Sequence, residues 1–416
     1  MPSLSRRSFF ALTAATAAAA GPTVMAAPAK SSGLTSLTQS AQPITAQERL
    51  ARVAKLQSLM QAQNVAALLV EAGSSLEYFT GVRWWRSERT TAALIPARGA
   101  LVIVTPFFEE PSIRETLQVA GDVRTWKEDE SPFDLLAAAL RERAGDGPLA
   151  IEATTRYFIT DRLSRASGRG RDVVPGEDLV RACRLIKSPA ELALMQAANN
   201  VTLAAIKHLH AQVEAGMTAT DLQNVLSEAT VALGAVPDDA LVLLNEASAF
   251  PHGSAKPQSV RKGSVILIDA VAAVHGYQSD ISRSWVFGEP SPRQREVWNT
   301  VKRGQEIALE TAKPGTPVGA IDKAVRAFYE GKGWSKDYGL PGTSHRTGHG
   351  IGMDVHEPAY LVRSDVTPLE PGMCFSDEPG IYLPGEFGIR LEDCWYMTEA
   401  GPRLFTPLAT SIDHPV

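Results

Sequence analysis

The sequence predicts an α/β fold in two domains, an N-terminal α/β domain and a C-terminal domain that contains two hairpins. A chain of 416 residues, 44% hydrophobic and 21% charged, exceeds the size of one ordinary core. Helical and strand patterns alternate from residue 46 to about Val174, which is typical of an α/β domain. Between residues 265 and 392, strand-like runs are joined by glycine-containing turns, which indicates hairpins.

The domain boundary is predicted from a helix-capping pattern. Apolar residues recur at helical spacing over residues 50–60, so order is expected from about Ala46. Ser188 can cap a helix whose third residue is Glu191, and a proline occupies its first turn. The first domain is therefore assigned residues 46–185 and the second residues 186–416.

The first 45 residues are predicted to lie outside both domains. Arg6-Arg7, followed by two phenylalanines and an alanine-rich apolar stretch, is typical of a twin-arginine export signal over residues 1–26. A chance Arg-Arg pair before an apolar helix is the alternative. The alanine-rich stretch is too short for a membrane span. Together with the predicted export signal, this favours a periplasmic or secreted protein. Residues 27–45 are rich in Ser, Thr, Gln and Pro and predict a flexible tether.

Charge and cysteine content narrow the classes of partner. The net charge is −5 and the pI about 6.0, and basic residues form no runs, so nucleic acid is not expected. Cys183, Cys374 and Cys394 lack the paired spacing of a thiolate metal site. The simplest interpretation is that the three cysteines are small buried residues of the core. A disulfide between Cys374 and Cys394 remains an alternative to this interpretation.

Asp269 and Asp280 lie in two apolar runs on either side of a His275-Gly276 turn. A hairpin with its midpoint between Val274 and His275 would place the two aspartates directly opposite each other. Directly opposed residues share a face of the sheet. The sequence therefore predicts two neighbouring carboxylates here.

The second hairpin is predicted to carry another carboxylate pair. Glu378 and Glu392 are equidistant from Gly385, in a Pro-Gly-Glu-Phe-Gly loop. His349 stands between two glycines, where the backbone can approach closely. Each carboxylate alone is typical of a solvated surface. Together the four carboxylates and the imidazole form an oxygen-rich ligand set that suits Mn²⁺, Co²⁺, Fe²⁺ or Zn²⁺. Two divalent ions bridged by carboxylates are typical of hydrolytic enzymes.

The order of these motifs resembles that of the pita-bread metallopeptidases, which include aminopeptidase P, prolidase, methionine aminopeptidase and creatinase. Beside the ligand motifs, Tyr78-x-Thr80-Gly81 is similar to a signature of the creatinase-type N-terminal domain. The resemblance runs from about Ala46 onward and is strongest to the Xaa-Pro peptidases. It implies a creatinase-like N-terminal domain and a pita-bread catalytic domain with a curved antiparallel sheet.

The resemblance also implies a role for each site residue. Glu378 would shuttle a proton, His356 would stabilise the oxyanion, and Arg390 would orient a ligand carboxylate. His252 and His345 would be further active-site histidines, with hydrogen-bonded structural histidines as the alternative. Two divalent metal ions, with Mn²⁺ favoured and Co²⁺, Zn²⁺ or Fe²⁺ as alternatives, would be held by Asp269, Asp280, His349, Glu378 and Glu392.

The implied reaction is hydrolysis of the peptide bond preceding proline by a hydroxide that the two metal ions activate. Dipeptidases of this group commonly place an arginine shortly after the His-Glu pair, but Tyr360 stands there and Arg363 follows three residues later. An Xaa-Pro aminopeptidase is therefore favoured over an Xaa-Pro dipeptidase. A creatinase-like hydrolase and a non-catalytic peptide-binding protein are further alternatives. The expected partners are proline-containing peptides, and, by analogy, further copies in a homodimer or homotetramer.

Overall fold

The computed structural model describes residues 33–168 and 171–416, so the predicted export signal over residues 1–26 lies outside the described residues. The N-terminal domain forms a six-stranded sheet in the order β4-β3-β2-β1-β5-β6, with helices packed against it. Its elements are α1 (Ala46–Ala62), β1 (Ala67–Glu71), α2 (Ser74–Thr80), β2 (Ala92–Pro96), β3 (Leu101–Pro106), α3 (Glu110–Thr116), β4 (Gly121–Trp126), α4 (Pro132–Arg143), β5 (Leu149–Ile151), α5 (Tyr157–Ala166), β6 (Val173–Pro175) and α6 (Glu177–Arg184).

The sheet of the N-terminal domain is mixed. Strand β2 pairs antiparallel with β1 and β3, whereas β1/β5, β3/β4 and β5/β6 are parallel. Strands β1, β2 and β3 are buried along their whole length, which explains their continuous apolar sequence. The predicted α/β class is confirmed.

The C-terminal domain is built from antiparallel strands and long helices. It contains a three-stranded sheet β7-β8-β9, a five-stranded sheet β11-β10-β12-β15-β16 and the hairpin β13-β14. Its elements are α7 (Pro189–His210), α8 (Ala219–Ala232), β7 (Val236–Leu244), β8 (Val265–Val274), β9 (Tyr277–Val286), α9 (Pro292–Thr311), α10 (Gly319–Gly331), β10 (Gly348–Gly350), β11 (Glu357–Leu361), β12 (Cys374–Asp377), β13 (Gly380–Leu383), β14 (Phe387–Arg390), β15 (Asp393–Thr398) and β16 (Gly401–Leu404).

The register of the first hairpin differs from the prediction. Asp269 pairs with Ser282, and Asp280 pairs with Val271, because the two-residue turn is centred between His275 and Gly276. Both turn residues have positive φ, 48° and 84°, as a tight hairpin turn requires. The error is two residues, and an even shift keeps side chains on the same face. Asp269 and Asp280 therefore still point into one pocket, although they are diagonal rather than opposed.

The second hairpin has the predicted register. Gly380 pairs with Arg390, and Asp377 pairs with Asp393 farther along the same two segments. Glu378 and Glu392 are thus at matching positions, on a loop centred at Gly385 as predicted. Ser188 and Glu191 form the predicted capping box at the start of α7.

Residues 33–45, predicted to belong to a flexible tether, instead pack against the second domain. Leu37 N–H donates to the Leu233 carbonyl at 2.9 Å, and Thr38 Oγ1 donates to the Gly234 carbonyl at 2.8 Å. Ile44 is 3% exposed and joins the hydrophobic core. A few apolar residues suffice because the neighbouring helices present a complementary surface, which composition alone does not reveal.

The domains are joined by buried polar contacts. Tyr277 Oη donates to Glu191 at 2.9 Å and accepts from Arg52 at 3.0 Å, so a residue of α1 reaches the β8-β9 hairpin. Arg184, at the end of α6, pairs with Glu357 at the start of β11. Although burial raises the pKa of Glu357, Arg184 and then Lys187 lower it to about 2.

Two further observations concern the cysteines and membranes. Cys183, Cys374 and Cys394 are free and buried, so the disulfide left open between Cys374 and Cys394 does not form. On the paired strands Cys394 lies opposite Ser376, and Cys374 lies opposite Tyr396. Among the described helices, none combines the length and apolar character needed to cross a bilayer.

Candidate metal centre

Five predicted ligands from five segments of the chain converge on one pocket of the second domain. Asp269 and Asp280 lie on β8 and β9, and His349 is the middle residue of β10. Glu378 directly follows β12, and Glu392 directly precedes β15. All five line a pocket of about 1250 Å³, a volume that includes its open mouth.

The distances between these side chains suit metal ligation. Ligand atoms of Asp280, His349 and Glu392 all lie within 4.8 Å of one another. His349 Nε2 is 3.3 Å from Glu378 Oε1 and 3.6 Å from Asp280 Oδ2. Its Nδ1 is 3.1 Å from the Gly350 carbonyl, and donation there leaves Nε2 as the ligating atom.

The electrostatics of the centre call for positive charge. Burial raises the pKa of Asp280 well above its usual range, and repulsion by Asp269 and Glu378 adds to the shift. Burial likewise raises the pKa of Glu392 well above normal, and that of Glu378 to about 7. One carboxylate oxygen each of Asp269, Asp280 and Glu392 is buried without a hydrogen-bond partner. Divalent cations would satisfy these oxygens, so the residues present fit the metal ions that the sequence predicts.

Arg390 supplies a cation beside this cluster. Its Nη2 donates to Asp269 Oδ2 at 2.5 Å, and its Nε donates to Ser282 Oγ at 3.0 Å. Ser282 Oγ in turn donates to Glu392 Oε2 at 2.8 Å. Arg390 thereby contacts two of the predicted ligand carboxylates, one directly and one through a hydroxyl.

A second chain of hydrogen bonds connects Arg390 to His345. Arg390 Nη1 donates to Tyr382 Oη at 3.0 Å, and Tyr382 Oη is 2.7 Å from His345 Nε2. His345 Nδ1 is 2.8 Å from the Arg346 carbonyl, so the network assigns the proton to Nδ1. Burial, then Arg390, lowers the pKa of His345 to about 3. His345 is therefore neutral and orients the Tyr382 hydroxyl, which the sequence did not single out.

The glycines beside His349 allow a close approach between strands. A Cβ on Gly348 would lie 2.3 Å from the Ser376 carbonyl oxygen, and one on Gly350 would lie 2.5 Å from the Glu357 carbonyl oxygen. Backbone atoms cannot yield as a flexible side chain can. The two glycines thus let β10 place the imidazole between its neighbours.

We expect Gly348→Ala to lower kcat/KM by about 10²-fold, because β10 must shift and a displacement of about 1 Å at a reacting centre can cost that much. The free energy of unfolding should fall by about 1–3 kcal/mol through overpacking. Gly331→Ala is the matched control, since a Cβ added there would meet no atom of the described residues within 4 Å outside its own helix turn. Equal activity in both variants would contradict the role assigned to Gly348.

The other predicted histidines border the same pocket. The ring of His356 packs edge-on against that of His349, with 4.2 Å between ring centroids and 87° between planes. Burial, followed by Arg346, lowers the pKa of His356. His252 is exposed at the rim, in the loop before β8. The structure thus brings all the predicted site residues together, although it does not test their roles.

Sequence reasoning missed Arg346. Its guanidinium carbon is 4.4 Å from the centroid of the Tyr360 ring, and the residue lines the metal pocket. Within the part of the chain that the structure describes, no carboxylate lies within 4.0 Å of its guanidinium. Arg363, considered from the sequence, instead pairs with Asp337 and does not line the pocket. The position of Arg346 next to His345 was the available signal, but sequence spacing does not reveal an unpaired guanidinium.

The fold and the site define a two-domain metal-dependent hydrolase. Family models support this class: the model for metallopeptidase family M24 matches residues 193–399, and that for the creatinase/prolidase N-terminal domain matches residues 52–186. The chain belongs to metallopeptidase family M24 and is a metallopeptidase with a creatinase-like N-terminal domain.

Individual relatives cover most of the chain. It is 32% identical over 346 residues to "Probable dipeptidase PepE" of Mycobacterium tuberculosis, covering 81% of this chain and 88% of that protein. It is 30% identical over 361 residues to "Xaa-Pro dipeptidase" of Lactobacillus helveticus, covering 85% and 95%. The crystal structure of a prolidase from Thermococcus sibiricus superposes with a TM-score of 0.79 at 27% identity, covering 86% and 96%. The pita-bread fold predicted from the sequence is confirmed.

Proposed function

We propose that the protein is an Xaa-Pro dipeptidase, which cleaves the bond before a C-terminal proline. The observation that carries this proposal is Arg346, an unpaired guanidinium in the metal pocket. Relatives whose names include dipeptidase, Xaa-Pro dipeptidase and prolidase support the same reading. The preference for an aminopeptidase, which rested on Tyr360 in place of an arginine, is therefore reversed.

Arg346 is placed to hold a free carboxylate at one end of a short substrate. Tyr360, on which it stacks, pairs with the ligand His349 across β10 and β11, so the guanidinium borders the metal centre. Stacking holds the planar group while its N–H donors stay available for a bidentate contact with a carboxylate. A dipeptide carries its free carboxylate on the residue directly after the scissile bond, whereas a longer peptide would place an uncharged amide there.

The chemistry then divides among the pocket residues. Two divalent ions, Mn²⁺ being favoured, would be held by the five ligands and would polarise the scissile carbonyl and lower the pKa of water. Glu378 faces the pocket and would carry the proton to the leaving nitrogen. His356, on the pocket wall beside His349, would donate to the developing oxyanion. Arg390 and Ser282 hold the carboxylates in place.

Export and self-association are also proposed. The twin-arginine pattern in the first 26 residues supports a periplasmic or secreted location. Assembly as a homodimer or homotetramer rests on analogy with proteins that share the N-terminal domain.

Arg346→Gln should raise KM for Ala-Pro by about 10- to 100-fold, because a hydrogen bond to a charged group contributes about 1.5–3 kcal/mol. KM for Ala-Pro-amide, which lacks the carboxylate, should change little. The metal-stripped chain would be reloaded with Mn²⁺, and steady-state kinetics would be followed for both substrates and for Ala-Pro-Ala.

Arg363→Gln is the matched control, because this arginine is close in sequence but pairs with Asp337 outside the pocket. Faster turnover of Ala-Pro-Ala than of Ala-Pro by the wild-type protein would favour the aminopeptidase reading. No cleavage before proline with Mn²⁺, Co²⁺ or Zn²⁺ would remove the Xaa-Pro assignment altogether.

A further inference from the structure

A long irregular segment between α10 and β10, residues 332–347, carries Arg346 at the metal pocket. A segment of this length without helix or strand loses much conformational entropy when it is held in one position. Its backbone therefore needs partners outside the segment. Two side chains of α10, Asp322 and Arg326, provide them as a buried ion pair, with 2.9 Å between Arg326 Nε and Asp322 Oδ2.

Arg326 holds the backbone of the segment at three points. Its Nη1 donates to the carbonyls of Asp337 at 2.7 Å and Thr343 at 3.1 Å, and its Nη2 donates to the His345 carbonyl at 2.5 Å. Arg326 is 5% exposed, and its guanidinium carbon lies 3.6 Å from the centroid of the Tyr338 ring. One buried cation thus satisfies carbonyls that have no helix or strand to bond them.

Asp322 binds the residue on the other side of Arg346. Its Oδ1 accepts from Thr347 Oγ1 at 2.7 Å, and its Oδ2 accepts from Tyr338 Oη at 2.9 Å. Both Asp322 and Thr347 are fully buried. Since Arg326 binds the residue before Arg346, both sequence neighbours of Arg346 are attached to one ion pair.

This ion pair makes no direct contact with the metal centre. Within the described residues, none of the side-chain hydrogen bonds of Asp322 and Arg326 goes to the five predicted ligands. The direction of the Arg346 guanidinium depends on its backbone and on Tyr360, over whose ring it lies. A bidentate contact with a carboxylate tolerates little misalignment, because two N–H groups must point at two oxygens.

We propose that Asp322 and Arg326 position Arg346 and so determine how strongly the protein prefers substrates with a free C-terminal carboxylate. The proposal rests on the function proposed above, in which Arg346 binds that carboxylate. Displacement of the residues on either side of Arg346 would turn its N–H donors away from the substrate. The metal ligands would stay in place, so a substrate without the carboxylate would be cleaved as before.

The test compares cleavage of Ala-Pro and Ala-Pro-amide by the full chain reloaded with Mn²⁺, and the measured quantity is the ratio of their kcat/KM values. Asp322→Asn should lower this ratio about 10- to 100-fold, through a higher KM for Ala-Pro, because hydrogen bonds to a charged group are lost. Its metal content and its kcat/KM for Ala-Pro-amide should stay close to those of the wild type. Glu48→Gln is the matched control and should keep the wild-type ratio, since Glu48 pairs with Arg52 one turn along α1 and does not line the metal pocket.

Two further variants separate positioning from a loss of stability. In protein that already carries Arg346→Gln, Asp322→Asn should lower the ratio no further, because Asp322 acts only through the guanidinium that has been removed. Thr347→Val removes one hydroxyl that contacts Asp322 and should lower the ratio about fivefold, so it provides the test if Asp322→Asn does not fold. Thr230→Val is its control and should leave the ratio unchanged, since the buried Thr230 hydroxyl donates to the Leu226 carbonyl within α8.

The outcomes distinguish this inference from the proposed function. A ratio that falls in Arg346→Gln but in neither Asp322→Asn nor Thr347→Val would overturn the inference and leave the proposed dipeptidase intact. Equal loss of activity toward both substrates in Asp322→Asn would also overturn it, because a merely structural role predicts that pattern. A ratio that does not depend on Arg346, or no cleavage before proline, would remove the proposed function and the inference together.

Discussion

Asp280→Asn is expected to abolish peptide hydrolysis and, at the same time, to stabilise the metal-free protein. Activity should fall by about 10³-fold or more, because bound metal contributes several kcal/mol of transition-state stabilisation and each 1.4 kcal/mol is about tenfold. In the metal-free protein the ionised Asp280 carboxylate lowers the free energy of unfolding. Burial and the repulsion from Asp269 raise its pKa in the folded state.

The sign of the stability effect follows from that raised pKa. Between the unfolded and the folded pKa of Asp280, the folded protein binds more protons, so metal-free stability falls as pH rises through this window. Asparagine cannot ionise and escapes the penalty. At pH 7 we expect the chelated variant to melt about 2–4 °C above the chelated wild type, which corresponds to about 1 kcal/mol.

Thermal melts with and without chelator, together with Ala-Pro hydrolysis, measure both effects. Asp239→Asn is the control, because Asp239 is an exposed acid on the rim of the same pocket. If Asp280→Asn kept more than about a tenth of the activity, or if its metal-free form melted below the wild type, Asp280 would not act as a buried metal ligand.

Arg390→Met should have the second-largest effect. The Arg390 guanidinium is buried and contacts Asp269, Ser282 and Tyr382, so its removal leaves the carboxylates without their nearest cation. Breaking a buried ion pair from one side costs about 3–5 kcal/mol. Because bound metal ions also neutralise the carboxylates, the loss of stability should be larger after chelation.

The activity of Arg390→Met should fall by about 10²-fold even with saturating Mn²⁺, because outer partners of metal ligands typically contribute 10- to 100-fold. Arg293→Met is the control, since Arg293 forms an exposed pair with Glu386, and such pairs contribute little. Denaturant unfolding in both metal states separates the two contributions. A variant as stable as the wild type after chelation would show that Arg390 does not balance the cluster.

The carboxylate pairs were found from the sequence because hairpin register depends on local turn geometry. At Glu378 and Glu392 the loop centre was evident from its glycines, and the predicted register is observed. At Asp269 and Asp280 the prediction was two residues out, because His275 adopts a positive φ that non-glycine residues seldom take. The face was right in both cases, since only odd shifts exchange faces.

Features that depend on distant contacts were harder to predict. Arg346 stands out only when the structure shows it over the Tyr360 ring, with no carboxylate of the described residues within 4.0 Å of its guanidinium. Similarly, the composition of residues 33–45 predicts a tether, but their contacts depend on Leu233 and Gly234, about 200 positions away in the chain. Local sequence patterns predict strand register and helix caps. Contacts between side chains that are remote in the sequence become evident only in the folded structure.

The buried pair between Arg184 and Glu357 makes the two domains dependent on each other. Arg184 belongs to the first domain and Glu357 to the second, directly beside His356. A recombinant protein that exchanged one domain with that of a relative would bury a lone charge unless the incoming half supplied the matching partner. The two halves are therefore expected to be inherited as a unit, and substitutions at these two positions should occur together during evolution.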